Sequence, residues 1–207
     1  MKFEWKKQEK ELYSPKNKPE IIKIPKYSFF MLDGKGNPNL EEFSQAVGVI
    51  YSLAYCIKMM PKKGKTPDGY YDYTVFPLEG IWDLSDEGKE SKVLNKDNFV
   101  YTIMIRQPNF VTPELAEEAI ITTKKNKPHI LLDNVRFESF EEGLCVQMMH
   151  IGPYDDEPVT FSKMEEFAAE NNLVRKGKTH REIYISDVRK TEPAKLNTIL
   201  RFQVDRK

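Results

Sequence analysis

Cysteine and histidine are scarce in this sequence: two and three residues respectively among 207. Cys56 and Cys145 sit in apolar runs, "LAYCIKMM" and "GLCVQMM", which excludes a disulfide framework and marks both as small buried hydrophobes. The histidines, His129, His150 and His180, show no zinc-ligand spacing, so a zinc site is not expected. No Ser-His-Asp or Cys-His arrangement can be assembled from the motifs, which disfavours covalent catalysis. Gly34 to Gly36, "GKG", lacks the spacing of a phosphate-binding loop. There is no excess of either charge. The 32 basic and 32 acidic side chains cancel, so direct nucleic-acid binding is not expected, and "PKKGK" at 61–65 reads as a solvated loop. No apolar run reaches the roughly 18 residues that span a bilayer, and the first twenty residues contain no secretory h-region. The expectation is a cytoplasmic protein with no membrane segment, monomeric or weakly dimeric.

What the chain does contain is 40% hydrophobic and 12% aromatic residues, enough for a sizeable core. Residues 1–25, punctuated by Pro15, Pro19 and Pro25, read as an irregular arm. A strand over about 27–32 precedes a Gly/Asn/Pro loop. A helix then begins near Asn39, with Leu40, Phe43, Val47, Ile50, Tyr51, Ala54 and Ile57 on one stripe. "YDYTVFPLEGIWDL" and "NFVYTIMIRQP" read as strands. A further helix is capped by Thr112 and opened by Pro113, with lysines gathered at its end. A short edge strand at 135–140 leads into the strand "GLCVQMMHIGP". A helix follows with Phe161, Met164, Phe167 and Ala168 inward, and "HREIYISD" and "LNTILRFQV" are the last two strands.

The order strand, helix, strand, strand therefore occurs twice, at 27–107 and 144–204, with 108–143 as a connector. This predicts an α+β fold: a tandem pseudo-symmetric βαββ repeat, its antiparallel sheet covered by helices on one face, with a ligand cleft between the halves. In "HREIYISD", His180, Glu182, Tyr184 and Ser186 share one face and Arg181, Ile183, Ile185 and Asp187 the other. Ile183 and Ile185 are expected to pack on the helices, which sends Glu182 into the cleft.

Four segments, "FFMLDGKGNPN", "YTVFPLEGIW", "MMHIGPYDDEP" and "HREIYISDVRKTEPAKLNTILR", together resemble the GyrI-like small-molecule-binding family, most closely its stand-alone members. The resemblance runs from about residue 3 to the end, and no helix-turn-helix precedes the domain. It implies a cleft lined by aromatics with a glutamate at its floor, here Glu182, receiving flat aromatic, electrophilic or cationic small molecules. Some stand-alone members are similar to enzymes that hydrolyse cyclopropane-bearing DNA alkylators. In that reading Glu182 activates water, Tyr184 assists, and neither a metal nor an organic cofactor is expected. Trp82, Tyr70, Tyr71 and Tyr154 are candidate ligand walls, and Glu79 and His150 rank behind them. On a regular strand Glu79 falls opposite Trp82, so both reach the cleft only if a bulge at Gly80 breaks the alternation. Two further readings stay open: a drug-binding or sensor protein without turnover, and a topoisomerase-interacting inhibitor.

Overall fold

The computed structural model describes residues 2–207. In chain order the elements are α1 (Trp5–Gln8), α2 (Lys10–Tyr13), β1 (Glu20–Lys35), α3 (Glu41–Met59), β2 (Leu78–Leu84), α4 (Asp86–Glu90) and β3 (Phe99–Gln107). They continue with α5 (Pro113–Asn126), β4 (Arg136–Ile151), α6 (Glu157–Glu170), β5 (Leu173–Arg175), β6 (His180–Tyr184) and β7 (Asn197–Arg206). The fold is α+β with antiparallel pairing. The order β1-α3-β2-β3 returns as β4-α6-β6-β7, the second time with the three-residue strand β5 inserted.

Two compact units emerge. Unit 1 comprises residues 2–4, Tyr27–Leu78 and Asp83–Phe140; unit 2 comprises Trp5–Lys26, Glu79–Trp82 and Glu141–Lys207. In unit 1, β1 pairs with β3 from Ser28↔Gln107 to Lys35↔Val100. Helix α3 buries Ala46, Val49, Ile50, Leu53, Ala54 and Ile57, a stripe rotated from the expected one: Leu40 is exposed at the N-cap and Phe43 meets Tyr101 edge-on. Helix α5 starts where its sequence says, with the Thr112 hydroxyl accepting from the Leu115 N–H and Pro113 in the first turn. Arg106 is buried between rings, 3.4 Å from the centroid of Tyr27 and 4.5 Å from that of Phe76.

In unit 2, β7 is the hub. It pairs with β4 (Cys145↔Gln203 to Ile151↔Asn197), with β6 (Arg181↔Arg201 to Tyr184↔Thr198) and with β5. Residues Glu79–Trp82 of β2 pair with β6 from Glu79↔Ile183 to Trp82↔His180 in unbroken register, so no bulge occurs at Gly80. Val146, Met148, Leu200 and Phe202 form one buried cluster with Met164 and Ala168 of α6, and Phe161 and Phe167 pack against it.

Three expectations need correcting. The arm is not irregular throughout. Trp5 and Tyr13 are buried on α1 and α2 with ring centroids 5.0 Å apart, and β1 already begins at Glu20. Pro25 is exposed in that strand, where its missing N–H costs little, and burial alternates from Glu20 to Ile24. The segment 135–140 is not a separate edge strand but the start of the sixteen-residue β4. Of the cysteines, Cys145 is fully buried, its thiol pushed up to about 12 by desolvation, whereas Cys56 is only half-buried. Among the described residues, no helix is long and apolar enough to cross a membrane.

Candidate functional site

Cross-strand partners share a side of a sheet, so the register of β6 settles which way its side chains point. Glu182 lies opposite Leu200, and Leu200 packs with Met164 of α6. Glu182 therefore lies on the helix-packed side, and with it Gly80, Trp82, His180 and Tyr184. Ile183 lies opposite Ile199 on the other side, with Arg181 and Glu79. This reverses the expected assignment of the two faces of "HREIY". The reason lies in α6, whose inward stripe is not apolar from end to end. Its C-terminal half buries Met164 and Ala168, but its first turns bury Glu157 and Thr160. A polar compartment is thereby built under the N-terminal end of the helix.

Glu182 is the centre of that compartment and is 8% exposed. The Tyr184 hydroxyl donates to its Oε2 at 2.8 Å, and the Trp82 indole N–H donates to the Tyr184 oxygen at 2.8 Å. Its Oε1 lies 3.1 Å from His180 Nε2, and the His180 ring stands edge-on to Phe161 at 4.7 Å. Tyr154 meets the Tyr184 ring edge-on at 6.0 Å, with an interplanar angle of 88°. Burial, and then the Glu182 charge, push the Tyr184 hydroxyl well above its ordinary range, and the same causes in the same order raise that of Tyr154. Both phenols therefore stay protonated across any working pH, and that of Tyr184 donates to Glu182. Glu157 and Glu182 each present a carboxylate oxygen, and His180 a ring nitrogen, all within 4.8 Å of one another. Sequence spacing did not suggest this trio as possible metal ligands, although His180 and Glu182 are two apart on a strand and so share a face.

Gly80 explains the placement of Trp82. It pairs with Glu182, and a Cβ built there would lie 2.5 Å from Trp82 Nε1 and 3.2 Å from the Tyr184 oxygen. The indole occupies the space that the absent side chain leaves. Gly80→Ala is expected to displace Trp82 and break its donation to Tyr184. Of the two indole N–H resonances in an NMR spectrum, that of Trp82 should shift and that of Trp5 should stay. An unmoved Trp82 signal would show that the indole is held some other way.

The remaining candidates fall elsewhere. Glu79 is buried on the opposite side, where Arg181 Nη1 donates to it at 3.0 Å and to Glu142 at 3.2 Å. Arg201 Nη1 reaches the same Glu142 oxygen at 3.2 Å, its other nitrogens reach Gln147 at 2.8 and 3.1 Å, and Gln147 donates to Glu20 at 2.7 Å. Burial works against the Arg181 charge, but Glu142 and Glu79 outweigh it and hold the guanidinium above its ordinary value. No sequence pattern announced this network. His150 is buried with both ring nitrogens engaged, by the Thr160 hydroxyl at 2.9 Å and the Pro153 carbonyl at 3.0 Å. It braces the turn into α6 and has no lone pair left for a base. Tyr70 and Tyr71 belong to unit 1. Both pack on Tyr73 and Phe110, and Tyr71 also on Phe3. Trp82 is 5% exposed, so its role in this structure is that of a buried donor rather than of an open stacking wall.

The profile of the GyrI-like small-molecule-binding domain matches residues 17–205. A hydrolase of Listeria innocua is 42% identical, with 99% of this chain and 100% of that one aligned and a TM-score of 0.90. An uncharacterised conserved protein of the same organism is 44% identical over 99% and 100% of the two chains, with a TM-score of 0.88. The C-terminal domain of EcmrR shares the fold at 14% identity, over 92% of this chain and 98% of that one, with a TM-score of 0.54. No curated protein is a significant match. The chain belongs to the family of GyrI-like small-molecule-binding domains.

Proposed function

We propose that the Glu182 compartment binds flat aromatic small molecules that are electrophilic or cationic, and that it hydrolyses strained cyclopropanes conjugated to a carbonyl. The observation that carries this reading is the fixing of Glu182, by a hydrogen bond from Tyr184 and beside His180, among the rings of Tyr154, Tyr184 and Phe161. Membership of a small-molecule-binding family and the relative named as a hydrolase support it.

In the step envisaged, a water oxygen attacks the cyclopropyl carbon while Glu182 takes the water proton. The carbon–carbon bond breaks, and its electron pair flows into the conjugated cyclohexadienone carbonyl to give a phenolate, which takes a proton from solvent as Glu182 returns its own to solvent. General-base assistance of this kind is worth about 10²–10⁴-fold. Tyr184 points its proton at Glu182, and Trp82 points its own at Tyr184. In this reading the two orient the base, and Tyr154, 37% exposed, is the ring that first meets an entering ligand. No metal or organic cofactor is required, and the reaction belongs in the cytoplasm.

A second reading, binding without turnover, draws on the low exposure of Glu182, which suits a counter-charge as well as a base. Incubation with a cyclopropane-bearing alkylator, followed by mass spectrometry for the water adduct, separates the two. Several equivalents of adduct per protein are expected. One equivalent or less would leave the protein a binder.

A further inference from the structure

Glu157, His180 and Glu182 bring three donor atoms to one point: two carboxylate oxygens and an imidazole nitrogen, all within 4.8 Å of one another. His180 and Glu182 stand at alternate positions of β6 and share a face, and Glu157 reaches them from the first turn of α6. His180 Nε2 and Glu182 Oε1 are 3.1 Å apart. Two ligand atoms about 2.0–2.2 Å from one ion, in tetrahedral or octahedral coordination, stand about 2.8–3.6 Å apart, so this pair already has the spacing of neighbouring ligands. A second observation points the same way. Glu157 is 7% exposed, and its Oε1 is buried without a hydrogen-bond partner. A carboxylate oxygen taken from water is costly unless something binds it.

Among the described residues no lysine or arginine pairs with Glu157 or Glu182. Two carboxylates so close repel unless positive charge lies between them, and the dipole at the start of α6 supplies only a fraction of one charge. A shared proton needs the two oxygens alone. A third donor converging on the same point is the requirement of an ion. The surroundings suit one as well, because metal-bound carboxylates are held by outer hydrogen bonds that settle which oxygen faces the ion. The Tyr184 hydroxyl donates to Glu182 Oε2 and leaves Oε1 facing His180, and the Trp82 indole donates to Tyr184 in turn. The His180 side chain, 20% exposed against 11% for that of Glu182, gives the way in.

We propose that Glu157, His180 and Glu182 form a binding site for a divalent first-row transition ion, Zn2+ foremost, with water at its remaining positions. One imidazole and two carboxylates are a borderline donor set whose formal charge matches a dication. The imidazole argues against Mg2+ and Ca2+, which take oxygen ligands, and the lack of a thiolate in the trio argues against Cu+. Sites of this kind hold Zn2+ more tightly than Mn2+ or Fe2+. The site goes beyond the hydrolysis proposed above and opposes it: an ion on Glu182 occupies the carboxylate that the reaction needs as its base, so the loaded protein is the inactive form.

The test uses the whole chain, stripped of metal by a chelator and carrying no histidine tag. Calorimetry should read a single Zn2+ per chain with a dissociation constant in the micromolar range or below, and millimolar Mg2+ or Ca2+ should not displace it. Glu157→Gln and His180→Ala should each weaken uptake by roughly tenfold or more. His129→Ala, outside the trio, should leave it unchanged. Co2+ gives a reading that a merely structural role of these residues would not move: a visible absorption band on binding and, by NMR, one strongly shifted exchangeable imidazole N–H that is missing from His180→Ala. Circular dichroism checks that the variants fold. Thermal unfolding reads the site a second way: Zn2+ should raise the Tm of the wild type and not that of Glu157→Gln. No uptake at micromolar Zn2+, uptake indifferent to Glu157→Gln, or displacement by Mg2+ would overturn the proposal. None of these readings uses turnover, so the metal site and the reading of Glu182 as a base fail separately.

Discussion

Glu182→Gln should lose cyclopropane hydrolysis by about 10²–10⁴-fold while remaining folded. Glutamine keeps an oxygen to accept from the Tyr184 hydroxyl. Its amide N–H₂ then faces His180, whose ring can present an unprotonated Nε2 by changing tautomer. The hydrogen-bond frame thus survives while the proton acceptor is gone. Affinity for a neutral flat ligand should stay within a few-fold, whereas a cationic ligand should bind more weakly because its counter-charge is lost. Mass spectrometry of the water adduct reads the rate and circular dichroism the fold. Turnover at the wild-type rate would remove Glu182 from the role of base, and a collapsed fold would make it structural.

The largest loss of stability should come from the other side of the same strand. Arg181→Met leaves Glu79 without its guanidinium partner, while Glu142 keeps Arg201. Removing one member of a buried ion network typically costs about 3–5 kcal/mol, because a buried charge then loses its counter-charge. Urea unfolding should show a loss of that size. Adding Glu79→Gln in the Arg181→Met background should recover most of it, since the carboxylate that lost its guanidinium is then neutral. A single-variant loss below about 1 kcal/mol would mean that water reaches Glu79 and replaces the lost partner.

The parts of this molecule legible in the sequence are those set by short-range rules. Thr112-Pro113 marks the start of α5 because capping and proline geometry act within four residues. The period-two reading correctly grouped His180, Glu182 and Tyr184, and it put Glu79 opposite Trp82. Which face meets the helix was not legible, because that depends on pairing Glu182 with Leu200 and on what α6 brings above them. The two isoleucines suggested a helix-packed face, yet Ile183 packs beside Arg181 and Arg201, and Ile185 lies beyond the strand end. Glu157 was hidden in the acidic run "YDDEP", because acidic side chains are mostly exposed. Its burial is decided by α6 docking on β5 and β7, a contact with no local signature. Arg181, Arg201, Glu79 and Glu142 were missed for a related reason. Charged residues are presumed exposed, and only the fold brings together partners as far apart as Glu79 and Arg181.

Neighbouring Arg181 and Glu182 point to opposite sides of one five-residue strand, one into a carboxylate-rich network and the other into a compartment of phenols and a second carboxyl. A slip of β6 by one position would exchange them. The guanidinium would be pressed against indole and phenol rings, and the glutamate would be driven between Glu79 and Glu142. Each misplacement is penalised separately, and neither can be relieved by water. The strand therefore carries an electrostatic key to its own alignment. A sheet with β6 out of step is therefore disfavoured on both of its sides at once, so the charges on the two faces of this strand also specify the register of the sheet that holds them.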